Sequence, residues 1–120
     1  MTVLTEKAGP GSCIIQEGDH WYSRDVVTVA AGDGITLEAN TVLGQITVGG
    51  NYNIYDPDAT DGTEAVAAIL IYPVTGTAEA TVLTRHAQVK SASLVWFDGA
   101  TTNEKATGIA ELATLGIITR

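Results

Sequence analysis

The chain has 120 residues, of which 14 are acidic and 6 basic, for a formal charge of −8. That excess repels phosphate, so nucleic acid is not expected as a direct partner. The length suits one domain able to bury roughly two-thirds of its unfolded surface, and 13 glycines with only 17% charged residues favour turn-rich β structure over a helical bundle. Cys13 is the single cysteine, which excludes an internal disulfide and fits a reducing compartment. No stretch reaches the ~18 apolar residues that span a bilayer, and the N-terminus lacks the basic and apolar regions of a secretory signal, so no membrane partner is expected.

In chain order, residues 1–22 carry Gly9-Pro10-Gly11, few large apolar side chains and no sustained period of 2 or 3.6. Such a segment does not readily offset its own ordering entropy and reads as a flexible N-terminal arm, with Val3, Leu4, Ile14 and Ile15 as its anchors. One use for an arm of this kind is to add a strand to an exposed sheet edge. Trp21 and Tyr22 open the ordered part as aromatic anchors, and residues 23–120 form the domain. Val26, Val27 and Val29 predict a strand that ends at a turn around Gly32-Asp33-Gly34. A second strand is expected over 41–48, with Leu43 and Ile46 as core candidates.

Residues 51–72 read as strand, acidic turn, strand, in the manner of a hairpin. Tyr52, Ile54 and Tyr55 favour a strand, whereas Asp56-Pro57-Asp58 and Asp61-Gly62 supply fixed φ, side-chain turn bonds and tolerance of φ > 0. The apolar run 65–71, with Val66, Ile69, Leu70 and Ile71, suits a strand covered on both faces and is the predicted core strand. Pro73 stops it, Gly76 turns the chain, and 77–90 is one long or two short strands containing His86. Leu94, Val95, Trp96 and Phe97 form an apolar group closed by Asp98-Gly99. Thr101 with Glu104 makes a capping box, after which Ala106, Ile109, Ala110 and Ala113 recur at helical spacing as the predicted core stripe. Gly108 costs that helix about 1 kcal/mol relative to alanine. Gly116 stands where a left-handed C-cap belongs, and Ile117, Ile118 and Thr119 resume as a strand.

None of the chemistry-bearing residues forms a catalytic or metal set. A calcium loop starting at Asp56 needs glycine sixth and glutamate twelfth, but Asp61 and Ala67 stand there, so turn chemistry accounts for the aspartates. His86 reads as a polar strand residue, Cys13 lacks a neighbouring histidine, and no glycine-rich phosphate loop is present. No enzyme activity, cofactor or metal is expected. Trp21, Trp96 and Phe97 leave open a carbohydrate- or protein-binding groove, as in a virion surface adhesin.

Four blocks in order resemble the lambda-type phage head decoration proteins. They are Asn40 to Thr47 with Leu43 and Gly44; Asp61, Gly62, Ala65, Ala67, Ile69 and Leu70; the stretch around Trp96; and Leu112, Leu115, Gly116, Ile117, Ile118 and Arg120. Asn40, Ala68 and Phe97 replace residues common in that pattern, two glycines and a proline. The resemblance implies an α+β, mostly β fold, a small partly barrel-like domain with one C-terminal helix. It further implies a structural virion protein, a homotrimer on three-fold sites of the expanded capsid that stabilises it against internal DNA pressure. The implied partner is the major capsid protein and the implied location the outer capsid surface, with the host cytoplasm during assembly. On this view deleting residues 2–16 removes the arm, abolishes capsid binding and leaves the domain folded.

Overall fold

A computed structural model describes residues 9–18 and 22–120. Among these, five strands close a barrel in the order β2-β5-β4-β6-β8: β2 (Arg24–Ala30), β4 (Val42–Gln45), β5 (Tyr52–Ile54), β6 (Val66–Leu70) and β8 (Thr77–Leu83). The longest ladder pairs β2 with β8 antiparallel over seven residues, from Arg24 opposite Leu83 to Ala30 opposite Thr77. One parallel contact, Val29 to Tyr52, closes the ring between β2 and β5. A two-stranded sheet of β3 (Thr36–Leu37) and β7 (Val74–Thr75) stands apart from the barrel ladders. The fold is mostly β with one helix, as expected.

A second sheet lies against the barrel. Its order is β1 (Ile14–Glu17), β9 (Ala87–Val89), β10 (Ile117–Thr119), with β1 antiparallel and β10 parallel to β9. A parallel neighbour requires a crossover, which is supplied here by a 3-10 turn, Ser91–Ser93, and by α1 (Thr102–Thr114). Thr101 caps α1 reciprocally: the Glu104 amide donates to its Oγ1 at 3.2 Å, and the Thr101 amide donates to Glu104 Oε1 at 3.1 Å. Gly116, at φ +82°, ends the helix and releases β10, as the sequence predicts.

The two sheets create two cores. Val29, Leu43, Ala68, Leu70 and Val82 fill the barrel, while Val42, Tyr55, Val66, Ile69, Ile71, Leu83, Val89, Leu112 and Ile117 pack outside it beneath α1 and the second sheet. Strand β6 therefore faces apolar matter on both sides, which is why it reads as an unbroken apolar run. Its alternation breaks at a bulge: Leu43 pairs with Ala68 but Gly44 pairs with Val66, leaving Ala67 as an extra residue. The extra residue turns Val66 to the outer core while Ala68 and Leu70 remain inside the barrel. The free Val66 amide then donates to Glu111 Oε2 of α1 at 3.2 Å.

Several expectations are corrected. Strands β5 and β6 do not pair as a hairpin, because β4 lies between them and bonds to both. The reason is the close packing of the intervening turn on β4: a Cβ at Gly44 would lie 2.6 Å from Thr63 Cα, and the Thr47 amide donates to Asp61 O at 2.8 Å. The predicted strand 41–48 ends at Gln45, and Val48 sits 87% exposed in the turn that follows. The segment 77–90 is two strands, and His86 lies between them with φ +46° instead of within a strand.

The helix also turns a different face inward. Gly108 and Leu112 are buried, whereas Ala106, Ala110 and Ala113 are exposed. The Trp96 ring lies directly on Gly108, where an added Cβ would collide with Cζ3 and lie 2.7 Å from Cη2. A residue without a side chain is what admits the indole, so its helix-propensity cost is offset by aromatic packing. Gly108→Ala should gain about 1 kcal/mol of propensity but lose about 1–3 kcal/mol to overpacking. A net loss of stability in urea titration is the expected result, and a net gain would show that Trp96 can move aside.

Tyr55 forms the centre of this aromatic contact. Its ring meets Trp96 edge-on at 6.2 Å and Phe97 at 6.1 Å, and it is 1% exposed. Its hydroxyl is buried with no hydrogen-bond partner among the described residues. Tyr55→Phe is therefore expected to be neutral or to raise stability by up to about 1 kcal/mol, since an unpaired buried hydroxyl is a cost. A loss above about 1 kcal/mol in the same titration would mean that the hydroxyl is held by a partner in solution.

Candidate functional site

The residues read as arm anchors divide into two groups. Val3 and Leu4 lie outside the described residues. Ile14 and Ile15, also inside the stretch 1–22, belong to β1 and so to the second sheet. Ile14 pairs with Val89 and packs on the outer core, while Ile15 occupies a bulge before Gln16 and is 47% exposed. The predicted boundary at residue 22 thus falls after a strand that is already part of the domain.

Bonds at both ends tie this strand down. The Gly11 amide donates to Ile71 O at 3.1 Å, Asn40 Nδ2 donates to Ser12 Oγ at 2.7 Å, and the Lys90 amide donates to Cys13 O at 2.7 Å. Cys13 is buried in the outer core, and burial pushes its thiol up to about 11, so it is protonated and shielded at neutral pH. At the far end Arg24 grips Glu17 in a two-pronged ion pair, Nε to Oε2 at 2.8 Å and Nη2 to Oε1 at 2.7 Å. The Gly18 amide donates to Ser23 Oγ at 2.8 Å, and that hydroxyl donates to His86 O at 2.9 Å. Trp21 lies outside the described residues; Tyr22 is exposed, stacked on His86 at 5.4 Å with Arg85 over its ring.

The outer face of the second sheet carries a polar row with apolar neighbours. Gln88 Nε2 donates to Gln16 Oε1 at 3.2 Å, and Arg120 Nε donates to Gln88 Oε1 at 3.2 Å. Ile118, opposite Gln88, is 41% exposed beside them. With Lys90 on the same sheet's margin, Arg120 gives this end of an acidic chain two positive charges.

The acidic loop is committed to its own turns. Asp61 Oδ1 accepts from the Thr63 amide at 3.1 Å and from Thr63 Oγ1 at 2.6 Å, and those bonds hold its carboxyl below the usual carboxylate range. Asp56 Oδ1 accepts from the Asp58 amide, and Glu64 Oε2 accepts from the Gly62 amide. Among the described residues no group of three or more His, Cys, Asp or Glu side chains is placed to hold a metal. Trp96 and Phe97 line a groove of about 400 Å³ with Ile35, Ile54 and Val95, yet both rings are also packed on the outer core.

Of the family-pattern residues, Leu43, Ile69, Leu70 and Ile117 are fully buried, and Gly44 and Gly62 sit where neighbouring backbone leaves no space for a side chain. Trp96 and Leu115 pack at the edge of the outer core and Gly116 ends α1. Sequence reading missed Glu111, Asn40 and Ser12. Glu111 looks like an ordinary helix surface residue, and the Asn40–Ser12 bond joins positions 28 residues apart.

A closed barrel is thus buttressed by a helix-linked second sheet, and the Asp56, Asp61 and Glu64 carboxylates are held in their own turns. The family model for bacteriophage lambda head decoration protein D matches residues 3–117, and the chain belongs to that family of phage head decoration proteins, structural proteins of the virion capsid. A search of curated proteins finds no significant match.

Proposed function

We propose that this chain mounts on the expanded phage head as a trimer at three-fold positions, contacts the major capsid protein, and reinforces the shell from outside against internal DNA pressure. The observation that carries this reading is the family match, which runs from residue 3 through the barrel to β10 as one unit. Synthesis and assembly would take place in the host cytoplasm, where Cys13 stays reduced. Residues preceding Gly9, with Val3 and Leu4, are the capsid-engaging arm, and the outer face of β1, β9 and β10, with Ile15 and Ile118 exposed, extends that contact.

Multivalency supplies the strength. One short arm gains little after an ordering cost of about 2–5 kcal/mol, whereas three arms on one rigid body bind at high effective concentration. A folded domain that holds β1 with a two-pronged ion pair and core contacts transmits load from such arms without unravelling. The test is co-sedimentation of the purified chain with undecorated, expanded heads, read together with shell resistance to chelator or heat. Saturation at three copies per three-fold position with a more resistant shell is the expected outcome. Failure to bind expanded heads would overturn the proposal.

A further inference from the structure

Three Asp-Gly pairs occur in this chain, at Asp33-Gly34, Asp61-Gly62 and Asp98-Gly99, and the structure treats them differently. An Asp-Gly bond is chemically vulnerable because glycine, lacking a Cβ, leaves its amide nitrogen unhindered. That nitrogen can attack the aspartate Cγ; a C–N bond forms, the side-chain hydroxyl leaves as water, and a five-membered succinimide results. Water then opens the ring at either carbonyl, restoring aspartate or yielding isoaspartate, with no net change in mass and no redox partner.

The first and third pairs share one geometry. Each occupies the centre of a β-turn, closed by the Ile35 amide on Gly32 O at 3.1 Å and by the Ala100 amide on Phe97 O at 3.2 Å. Gly34 and Gly99 have φ of +72° and +80°, and a Cβ placed on either would meet nothing within 4 Å. All four residues are exposed. Neither glycine amide nor either aspartate carboxylate has a hydrogen-bond partner among the described residues. Nucleophile and electrophile are thus free of competing bonds.

The middle pair is locked on both sides of the reaction. Asp61 accepts two bonds from Thr63, the Gly62 amide donates to Glu64 Oε2 at 2.7 Å, and Gly62 is wedged against the backbone of Gln45 and Thr47. Cyclisation there must break these contacts first.

We infer that Asp33 and Asp98 are sites of succinimide-mediated isoaspartate formation in the folded protein, and that Asp61 is protected by its turn. The inference rests on turn geometry alone and stands whether or not the chain binds a capsid. At Asp98 the product lengthens the main chain by one methylene between Phe97, which packs on Tyr55, and Thr101, which caps α1. The change therefore falls at a joint between the outer core and the helix.

To test this, the full chain is incubated at 37 °C near pH 6, folded or unfolded in urea, and isoaspartate is located by electron-transfer fragmentation of its peptides. Methylation by a protein isoaspartyl methyltransferase gives an independent count. In urea the three sites should react at similar rates, whereas in the folded chain Asp61 should lag roughly tenfold or more, because local opening must precede its reaction. D33E and D98E should each abolish the signal at their own position. Equal folded-state rates at all three sites, or a folded chain that accumulates none at 33 and 98 while the urea sample does, would overturn the assignment; formation at one turn only overturns it for the other.

Discussion

Gly62→Ala is expected to lower the unfolding free energy by about 2–5 kcal/mol, the sum of backbone strain and overpacking. Gly62 has φ +114°, outside the range that L side chains readily adopt. A methyl group there would collide with Gln45 O and lie 2.6 Å from Thr47 Oγ1 and 2.7 Å from Thr47 N. Gln45 O and Thr47 N are backbone atoms of β4 and of the segment leaving it, so relief requires moving the barrel wall. The same approach carries the Thr47–Asp61 bond and seats Thr63 against Gly44. Gly99→Ala is the matched comparison, with positive φ but open space around it, and should cost only about 1–2 kcal/mol. Urea titrations at unchanged m-value separate the two. Equal losses would show that conformation alone, and not the close approach, demands glycine at 62.

A pair of deletions has the next largest effect and divides binding from folding. Removing residues 2–8 takes away Val3 and Leu4 but leaves every described contact of β1, so thermal unfolding should be unchanged while co-sedimentation with expanded heads is lost. Removing residues 2–16 also takes Cys13 from the outer core and Ile14 from above it, and strips β9 of its antiparallel neighbour. The loss of a buried side chain and its strand is expected to cost about 2–5 kcal/mol or more. The expectation that this longer deletion leaves the domain folded is therefore replaced. Full stability in the longer deletion would show that β1 contributes nothing to the domain, and undiminished shell binding by the shorter one would sink the arm proposal.

Much of the local structure was legible because it depends on neighbours in sequence. Thr101 and Glu104 form their capping box across three residues, Gly116 ends the helix two residues after Thr114, and Asp56 and Asp61 bond within their own turns. The double burial of β6 could also be read, since a strand covered on both faces has no polar face to alternate. The surfaces proposed for binding were less legible: composition marked residues 1–22 as weakly patterned, yet four of them form a strand whose partners lie 70 to 75 residues on.

By itself the sequence determined an acidic, β-rich chain with one capped helix, an unbroken apolar core strand, and the family pattern of Leu43, Gly44, Asp61, Gly62 and the Leu115-Gly116-Ile117 ending. Only the tertiary structure decided that β4 separates β5 from β6, that Ala67 bulges, that α1 turns Gly108 and Leu112 inward instead of its alanines, and that Ile14 belongs to the core. The physical reason is the range of the interactions. Caps and turns are settled within a few residues, whereas a strand's partner and a helix's inner face depend on which distant side chain, here Trp96 or Thr63, arrives to fill the space.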